Sequence, residues 1–474
     1  MERNWEKRMK NLTLHKIAKA CGGKLFCCDE GMDKEVSGVV LDSRLIKENF
    51  LFVAAKGERV DGHDFIPQVM EQAAAGVVCE RAPEIVSGPY ILVEDSFQAL
   101  KDIAEFYRKQ LDIKVVGITG SVGKTSTKEF IASVLAEKYQ VLKTEGNYNN
   151  EVGLPLTVLK IQEHHQAAVL EMGISDFGEM HRLSKIARPD ICVLTNIGEC
   201  HLENLKSREG ILQAKTEMFD FMQEDGAVCA NGDDDMLRRI EEINGGTLKG
   251  RKPIYFGLEE SNPVYADEIE NKGLFGCRAK IHMQNGEFAV KIPLPGAHMV
   301  YNALAAACVG GLLGLDGAQI QEGIAKVKPL GGRSNIIRLP DRVVIDDCYN
   351  ANPVSMCAAL DLLESALTRR VAVMGDMFEL GENKEQMHGR VGAYAIEKGI
   401  EVIVCIGELS LNMYDSAKEA AREAGSESTE FYYFPGKKEF LEKMSGILRK
   451  GDTVLVKASH GMAFEEIVKA LEEK

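Results

Sequence analysis

Residues 113–126 read IKVVGITGSVGKTS, and this stretch gives the strongest indication of the fold. An apolar run leads into a glycine-rich turn, and Gly-Lys-Thr then opens an amphipathic segment. This order is typical of a nucleotide phosphate loop, in which backbone N–H groups and a helix N-terminus surround phosphate oxygens. The stretch departs from the strict GxxxxGK[ST] pattern, because Ile118 stands five positions before Gly123. We predict that it binds ATP or GTP.

The residues of this loop have separate predicted roles. Gly120 and Gly123 let the backbone close around phosphate oxygens. Lys124 reaches the β and γ phosphates, and Thr125 ligates Mg²⁺. A plain glycine turn would explain Gly120, but not Lys-Thr at a helix start in an acidic protein. The candidate nucleotide-binding residues of the loop are Gly120, Ser121, Val122, Gly123, Lys124, Thr125 and Ser126.

Short apolar runs alternate with amphipathic segments between residues 113 and 230. The runs KVVGIT, AAVLEM, DICVLTNI and GAVCAN are almost continuously hydrophobic, as buried parallel strands are. The segments 124–137, 178–187 and 207–222 between them are predicted helices. This alternation predicts an α/β fold with a central, doubly wound and mostly parallel sheet.

Two further α/β units flank the central one. Residues 12–107 contain the predicted strands GVVLDSR, FLFVAA, AGVVCE and YILVED. Residues 254–292 alternate in short steps, as in an antiparallel insertion, and 297–315 form a helix rich in small residues. After a turn-rich segment at 328–335, the runs VVIDD, RVAVMGD, VIVCIGE and DTVLVKAS alternate with helices, as in a Rossmann-like domain. We expect three domains, at 1–111, 112–330 and 331–474.

Composition limits the classes of function. The 474 residues carry 57 Lys and Arg against 72 Asp and Glu, a net charge of −15, which excludes broad binding to a nucleic-acid backbone. No run reaches the ~18 apolar residues of a membrane span. The charged start MERNWEKRMKN lacks the apolar core of a signal peptide. We therefore expect a cytoplasmic protein whose cysteines are reduced and mostly structural.

Polar residues follow the strands that should flank the phosphate loop. Glu171 ends AAVLEM, and Asn196 and His201 follow DICVLTNI. Lys215 lies on the next helix. Each residue also has a purely structural explanation. Glu171 could be a solvated turn residue, His201 a core histidine and Lys215 an exposed lysine. Ligands nevertheless bind at the carboxyl ends of such strands, and Mg²⁺ needs few protein ligands beside substrate phosphates, so the group is a candidate metal site.

An asparagine-rich turn, EGNYNNEVGLPL, precedes the strand AAVLEM. Asparagine and glycine favour turns, so the motif is also explained by a loop alone. Its amides are candidate donors to substrate or phosphate, because the turn lies beside the phosphate loop. We select Asn147 and Asn150 as substrate-binding residues, with Asn149 between them.

These motifs together resemble the Mur ligases of peptidoglycan synthesis. The central motifs are TGSVGKTS, GNYNNEVGLPL, LEMG, TNIGECHLE and AKTEMF. LDSR, LFVA and DGHDFI in the first domain, and DDCYNANPVSM, MGDMFELG and VLVKASHGM in the third, extend the resemblance over nearly the whole chain. DDCYNANP resembles the family member that adds D-Ala-D-Ala rather than the one that adds the third amino acid.

The resemblance implies a UDP-substrate domain, an ATP domain and a dipeptide domain, in that order. It implies an ATP-dependent ligase that joins D-Ala-D-Ala to UDP-N-acetylmuramoyl-tripeptide, the last cytoplasmic step towards the UDP-linked pentapeptide. The γ-phosphate moves to the tripeptide carboxylate, the dipeptide amine attacks the acyl phosphate, and phosphate leaves. Such a transfer needs positioning and charge neutralisation more than a protein nucleophile. We expect the protein to be a monomer.

The resemblance also assigns the catalytic centre. Lys124, Glu171, His201 and Lys215 match its catalytic positions, and Thr125, Glu171, His201 and Lys215 its metal site. Lys215 matches the lysine that the family carbamylates, which turns an ammonium into a carboxylate-like group. Without that change, an ammonium beside Mg²⁺ would be repelled. The implied cofactors are ATP, two Mg²⁺ ions and carbamylated Lys215.

Further binding residues follow from the same resemblance. Asn302 matches an adenine contact and Arg333 an arginine that meets ATP phosphate, although a local helix bond or a surface linker would also explain them. Asp347 and Tyr349 match nucleotide contacts, with Asp347 suited to ribose hydroxyls. The matching substrate-binding residues are Asp42, Ser43 and Arg44 in the first domain and Asn352, Lys457 and Ser459 in the third.

The chain departs from the family at two places. It has His298-Met299 where the family has His-Asn, and Lys457-Ala458-Ser459-His460 where the family has Lys-Gly-Ser-Arg. His460 keeps a donor but loses the permanent charge of arginine. Two alternatives remain open at this point: a folylpolyglutamate synthase-like or cyanophycin-type ligase, and a catalytically silent nucleotide-binding subunit.

Overall fold

The computed structural model describes residues 9, 11–27, 33–58, 60–84, 88–425 and 428–473. Within these ranges the strands form three sheets, each with helices packed on it. The prediction about a signal peptide concerns residues 1–11, of which all but Met9 and Asn11 lie outside the described residues.

The first sheet forms from the runs expected to be strands, with one added strand at its edge. Its order is β1-β5-β4-β3-β2, and every neighbouring pair is parallel except the antiparallel pair β1 and β5. The elements are α1 (Leu14–Ala20), β1 (Lys24–Phe26), β2 (Gly38–Val40), β3 (Phe50–Val53), α2 (Ile66–Glu71), β4 (Gly76–Cys79), β5 (Tyr90–Leu92) and α3 (Ser96–Arg108).

The central sheet has the order β14-β13-β12-β11-β10-β9-β6-β8-β7. Its strands are β6 (Lys114–Thr119), β7 (Val141–Lys143), β8 (Ala167–Glu171), β9 (Ile191–Leu194), β10 (Ala227–Asn231), β11 (Ile254–Gly257), β12 (Val264–Asn271), β13 (Cys277–Met283) and β14 (Gly286–Ile292). Its helices are α4 (Lys124–Leu135), α5 (Gly153–Val158), α6 (Glu179–Ala187), α7 (Leu202–Leu205), α8 (Arg208–Thr216), α9 (Ile240–Leu248), α10 (Met299–Leu312) and α11 (Gly317–Ala325).

Strand β6 leads into the phosphate loop and lies between β8 and β9. Both neighbours run parallel to it. Glu171 at the end of β8 and the segment after β9 therefore flank the loop at one edge of the sheet. The expected placement of the two strands is confirmed.

The segment 254–292 differs from the expected antiparallel insertion. Strand β11 pairs parallel to both β10 and β12, and only β12, β13 and β14 pair in antiparallel fashion. Parallel neighbours need a crossover connection, and helix α9 supplies it between β10 and β11. This segment therefore extends the central sheet.

The third sheet has the order β15-β16-β20-β17-β18-β19. It is parallel except where β15 pairs with β16. Its elements are β15 (Asn335–Arg338), β16 (Val343–Asp346), α12 (Pro353–Glu364), β17 (Arg370–Gly375), α13 (Lys384–Glu397), β18 (Val402–Ile406), α14 (Ser410–Glu423), β19 (Glu430–Phe434), α15 (Lys437–Ile447), β20 (Thr453–Lys457) and α16 (Glu465–Glu472).

The turn between β12 and β13 joins the central sheet to the third. Leu274 in this turn packs against the apolar core of the third sheet. The Arg338 guanidinium lies 4.4 Å from the centroid of the Phe275 ring. These contacts hold the carboxyl edge of the central sheet close to the loops of the third domain.

Candidate functional site

A cavity of about 930 Å³ lies between the phosphate loop and the third domain. It brings together most of the residues selected from the sequence. Those that line it are Ser121, Val122, Gly123, Lys124, Thr125, Ser126, Asn147, Asn150, Glu171, His201, Asn302, Arg333, Asp347, Tyr349, Asn352 and Lys457. Segments as far apart as 121 and 457 in the sequence therefore contribute to one site.

The phosphate loop has the conformation that its glycines permit. Gly123 precedes helix α4 with a φ of 82°, a left-handed conformation that favours glycine. Lys124 Nζ folds back over the loop and donates to the carbonyl oxygens of Gly120 at 2.7 Å and Ser121 at 3.4 Å. Its charge thus lies where phosphate oxygens would be surrounded by the loop.

Thr195 and Asn196, which follow β9, form hydrogen bonds to the backbone of the phosphate loop. Thr195 Oγ1 donates to the carbonyl oxygen of Val122 at 2.7 Å, and Asn196 Nδ2 donates to the same oxygen at 3.0 Å. Asn196 Oδ1 accepts the N–H of Val122 at 2.9 Å. The loop is therefore preorganised by its neighbour strand.

Glu171 lies buried beside the loop, with 2 % of its surface exposed. Its Oε1 accepts hydrogen bonds from Thr125 Oγ1 at 3.1 Å and from Asn149 Nδ2 at 2.8 Å. Its Oε2 has no hydrogen-bond partner in the described part of the chain. Lys128 Nζ lies 3.9 Å from that oxygen. A buried carboxylate oxygen beside a threonine hydroxyl is a suitable ligand for a divalent cation.

His201 reaches across the cavity to the third domain. Its Nδ1 lies 3.0 Å from a carboxylate oxygen of Glu379, in the loop after β17. The hydrogen bond from His201 lowers the pKa of the Glu379 carboxyl below its usual range. Both side chains line the same cavity as Glu171.

Lys215 lies behind the cavity wall, near the end of α8. Only 1 % of it is exposed, and no described residue forms a hydrogen bond or an ion pair with its ammonium. Burial is the main cause that lowers the pKa of Lys215 to about 8; Cys200 opposes this shift and the charge of Lys124 adds to it. About a tenth of an amine with this pKa is neutral at pH 7, far more than for an ordinary lysine.

Asn302 lies on α10, directly over the start of α4. Its Oδ1 accepts a hydrogen bond from Thr127 Oγ1 at 2.8 Å, and its Nδ2 donates to Met299 Sδ at 3.2 Å. Tyr301 also lines the cavity here, and its hydroxyl donates to Asp233 at 3.0 Å. Met299, one of the departures from the family, therefore orients the Asn302 amide.

The third-domain wall is held by a buried ion pair. Lys457 Nζ donates to Asp347 Oδ2 at 2.5 Å and to the carbonyl oxygen of Asn350 at 3.0 Å. Asp347 Oδ1 accepts the N–H of Ser334 at 2.8 Å. The linker before the third domain is thus tied to the DDCYN segment.

Three neighbouring side chains of this wall line the cavity. The Arg333 guanidinium lies 4.0 Å from the centroid of the Tyr349 ring, a cation–π distance. The ring centroids of His460 and Tyr349 lie 5.4 Å apart, with the ring planes tilted by 36°. Tyr349 therefore contacts both Arg333 and His460.

Six selected residues lie outside the lining of this cavity. Gly120 belongs to the phosphate loop and Lys215 to the last turn of α8, but neither lines the cavity. Ser459 is buried, and its Oγ accepts the N–H of Phe378 at 2.9 Å. Asp42 caps the 3₁₀ turn Ser43–Leu45 and forms an ion pair with Arg44, whose side chain is 85 % exposed. The LDSR motif of the first domain therefore does not line this cavity.

Some residues at the site were not selected from the sequence. Thr195 and Glu379 each touch a selected residue or the phosphate loop. Glu379 stands inside the motif MGDMFELG. Asn149, already a candidate donor of the asparagine-rich turn, donates to Glu171. Thr195 is the first residue of TNIGECHLE, but its bond to the loop required the pairing of β6 with β9.

The described residues contain neither a ready-made cluster of metal-binding side chains nor a helix that could span a membrane. Among the described residues, no three His, Cys, Asp or Glu side chains cluster closely enough to hold a metal ion by themselves. No helix in the described ranges is long and apolar enough to cross a membrane. A cation at this site would therefore need ligands beyond those four residue types.

Comparison with known proteins decides the family. The sequence patterns of a Mur ligase catalytic domain, a Mur ligase middle domain and a Mur ligase glutamate ligase domain match residues 35–115, 118–310 and 332–460. The UDP-N-acetylmuramoyl-tripeptide–D-alanyl-D-alanine ligase of Bacillus subtilis (strain 168) is 38 % identical over 447 residues, which are 92 % of this chain and 93 % of that protein. This chain belongs to the Mur ligase family.

Further Mur ligases match along almost their whole length. The ligase of the same name from Escherichia coli (strain K12) is 32 % identical over 98 % of this chain and 99 % of its own. A crystal structure of MurF from Acinetobacter baumannii superposes with a TM-score of 0.87 at 30 % identity, covering 98 % of this chain and 100 % of that one. MurF from Thermotoga maritima in complex with ADP gives a TM-score of 0.77 at 29 % identity, covering 92 % and 97 %.

Proposed function

We propose that this Mur ligase joins D-alanyl-D-alanine to UDP-N-acetylmuramoyl-tripeptide with the hydrolysis of ATP to ADP and phosphate. One observation carries the proposal: a single cavity combines a preorganised phosphate loop, a buried carboxylate with an unbonded oxygen, and a third-domain wall. The relatives that match along the whole chain carry this activity in their names. The product is the UDP-linked pentapeptide of peptidoglycan synthesis.

The phosphate loop holds ATP in this proposal. Gly120, Ser121, Val122, Gly123, Thr125 and Ser126 supply its backbone and hydroxyl groups. Lys124 neutralises charge on the β and γ phosphates, because its ammonium already lies over the loop. The γ-phosphate is transferred to the tripeptide carboxylate to form an acyl phosphate. The dipeptide amine then attacks the carbonyl carbon, and the phosphate leaves.

Thr125, Glu171 and His201 are the proposed protein ligands of Mg²⁺. The residues fit such an ion, because Glu171 Oε2 is buried, unbonded and next to the Thr125 hydroxyl. Mg²⁺ keeps several waters and takes few protein ligands besides phosphates, so a cluster of three acidic or histidine side chains is not required. When bound, the ion stabilises the negative charge of the transferring phosphoryl group.

We further propose that Lys215 is carbamylated and helps to place a second Mg²⁺. A neutral amine is the nucleophile that captures CO₂, and the lowered pKa of Lys215, about 8, makes that form accessible. The ammonium has no partner among the described residues, and the carbamate would convert its charge from positive to negative. The modification therefore removes a buried, unpaired cation.

The remaining contacts belong to the same proposal. Asn302 lies over the phosphate loop and is assigned to the adenine. Arg333, Asp347 and Tyr349 are assigned to the phosphate and ribose of ATP. The substrate-binding residues would be Asp42, Ser43 and Arg44 for the UDP end, Asn147 and Asn150 beside the loop, and Asn352, Lys457 and Ser459 for the peptide end.

The wider setting is proposed on the same basis. The domain limits 1–111, 112–330 and 331–474 each enclose one of the three sheets. Every assigned residue comes from one chain, so a monomer suffices. The cytoplasm is the proposed location, because the reaction consumes ATP and a UDP-linked substrate.

A purified-protein assay tests the function. We expect phosphate release to require ATP, UDP-N-acetylmuramoyl-tripeptide and D-Ala-D-Ala together, with the pentapeptide identified by mass spectrometry. ATP turnover with folate and glutamate instead would contradict the proposal. Comparison of tripeptides ending in meso-diaminopimelate and in lysine then identifies the substrate.

A further inference from the structure

The contact between His201 and Glu379 joins two domains at the reaction centre. His201 directly precedes α7 in the central domain, and Glu379 lies after β17 in the third. Their side chains approach to 3.0 Å, between Nδ1 of the imidazole and a carboxylate oxygen. Nε2, the other ring nitrogen, is left for a further ligand.

The backbone at both residues is held in a conformation that such residues avoid. His201 has a φ of 53° and Glu379 a φ of 62°, both in the left-handed region. Non-glycine residues keep this conformation only where surrounding contacts impose it, and such positions cluster at functional sites. Two such residues meet here, one on each side of the cavity.

The loop that carries Glu379 is anchored residue by residue. Each of the three preceding residues is held by a hydrogen bond to a different element of the third domain. The bonds run from Ser410 Oγ to Asp376 Oδ1 at 2.6 Å, from Met377 N to His388 Nε2 at 2.9 Å, and from Phe378 N to Ser459 Oγ at 2.9 Å. Glu379 therefore presents its carboxylate from a rigid support, and this explains the buried position of Ser459.

The segment that carries His201 contacts both domains. Leu202, the next residue, packs against the apolar cores of the central and the third domain. The position of the imidazole thus depends on the approach of the third domain, and Glu379 contacts it from that domain.

We propose that Glu379 is a positioning residue that orients the His201 imidazole through Nδ1, so that Nε2 binds the divalent cation. This inference rests on the proposed function, in which His201 is a metal ligand. Histidine ligands commonly bond their other ring nitrogen to a carboxylate, which fixes the ring and raises its basicity. Because the carboxylate comes from the third domain, this support for the cation ligand depends on the contact between the two domains.

Both members of this pair are partly exposed. The Glu379 side chain is 68 % exposed and the His201 side chain 29 % exposed. A polar contact at the surface contributes little to stability. The proposal therefore predicts an effect on cation binding and only a small one on folding.

The direct test measures Mn²⁺ binding in the presence of ADP by electron paramagnetic resonance. Loss of a carboxylate that supports a histidine ligand weakens metal binding about 10–100-fold, so we expect Glu379→Ala to weaken Mn²⁺ binding about 10-fold. Glu379→Gln should lose less, because its amide oxygen still accepts the hydrogen bond. Glu382→Ala is the matched control, since Glu382 is exposed on the next turn of the same segment, and it should bind Mn²⁺ as the unaltered protein does.

A double-mutant cycle shows whether Glu379 changes Mn²⁺ affinity through His201. If Glu379 acts through the imidazole, Glu379→Ala changes Mn²⁺ affinity in the unaltered protein but not in a His201→Ala background. Equal losses in both backgrounds, or no loss in either, would overturn the proposal. Tighter binding by Glu379→Ala would also overturn it, because the carboxylate would then compete with the cation.

Two controls keep this result separate from folding and from the proposed function. Thermal melting should give similar Tm values for the Glu379 variants, and Glu379→Gln alone decides the matter if Glu379→Ala does not fold. If the unaltered protein makes no pentapeptide, the proposed function fails. If it does, and Mn²⁺ binding is unchanged in Glu379→Gln and Glu379→Ala, only the role of Glu379 fails.

Discussion

Two buried lysines on opposite sides of the cavity have contrasting environments. Lys215 in the central domain is 1 % exposed and has no hydrogen bond or ion pair within the described residues. Lys457 in the third domain is 2 % exposed, but its ammonium is surrounded by Asp347 and the carbonyl oxygen of Asn350. Equal burial therefore produces one reactive amine and one structural cation.

Two carboxylates that line the two sides of the cavity differ in the same way. Glu171 keeps an oxygen without a hydrogen bond. Asp347 has both oxygens bonded, one to Ser334 and one to Lys457. The central side of the cavity thus retains unused bonding capacity, whereas the third-domain side satisfies its polar groups internally. A buried polar group without a hydrogen bond lowers the stability of the fold unless a ligand or a modification provides a partner for it.

Lys457→Met should have the largest effect on stability. It leaves the Asp347 carboxylate without its partner, and removal of one member of a buried pair costs about 3–5 kcal/mol. We expect the free energy of unfolding from urea titration to fall by that amount. Lys450→Met, at an exposed site, should leave it unchanged. A Lys457→Met variant as stable as the unaltered chain would remove the contrast between the two lysines.

Lys215→Met should have the opposite effect on stability. Burial lowers the pKa of Lys215 from 10.5 to about 8, so between these values the unfolded chain holds a proton that the folded chain has released. Stability therefore rises with pH across this window, and the full cost of burial, about 3 kcal/mol, is present below pH 8. We expect Lys215→Met to raise the free energy of unfolding by about that amount at pH 7 in CO₂-free buffer, with the gain vanishing towards pH 10.5.

Activity separates Lys215 from an ordinary buried lysine. Lys215→Ala should lose at least about 100-fold in ligation rate, and short carboxylates should restore part of it by occupying the place of the carbamate. Lys252→Ala, at an exposed position, is the control. Full activity in Lys215→Ala would exclude the proposed carbamate.

Asn352, on the third-domain side of the cavity, gives the smallest predicted effect. Its side chain accepts the N–H of Ser355 and caps α12, and it also lines the cavity. Asn352→Ala should lower the free energy of unfolding by about 1 kcal/mol. Asn352→Asp should keep the cap but raise KM for an anionic substrate. An unchanged KM in Asn352→Asp would reduce Asn352 to a helix cap.

The parts of the site predicted from sequence are local ones. A strand, a turn and a helix in succession place Gly123, Lys124 and Thr125 without help from distant residues. The ends of β8 and β9 could also be predicted to meet the loop, because parallel strands present their carboxyl ends at one edge. Strand β11 was not expected to be parallel, since its pairing depends on the crossover helix α9.

The contacts between domains could not be predicted from the sequence. MGDMFELG was quoted as a motif, but no pattern in it indicates that Glu379 would reach His201, 178 positions earlier in the chain. Likewise, VLVKASHGM gives no reason for Lys457 to be buried against Asp347 while Ser459 holds the backbone of Phe378. These positions follow from the pairing of β20 with β16 and β17.

The phosphate loop, the α/β class and the presence of three α/β units could be predicted from short-range periodicity and turn chemistry, whereas the roles of the three domains came from the resemblance to the Mur ligases. Only the tertiary structure decided which buried charges are paired. Whether a lysine becomes a structural cation or a reactive amine depends on the groups that the fold brings within hydrogen-bonding distance. For Lys215 and Lys457 those groups come from other elements of the chain, and no local pattern encodes their distance.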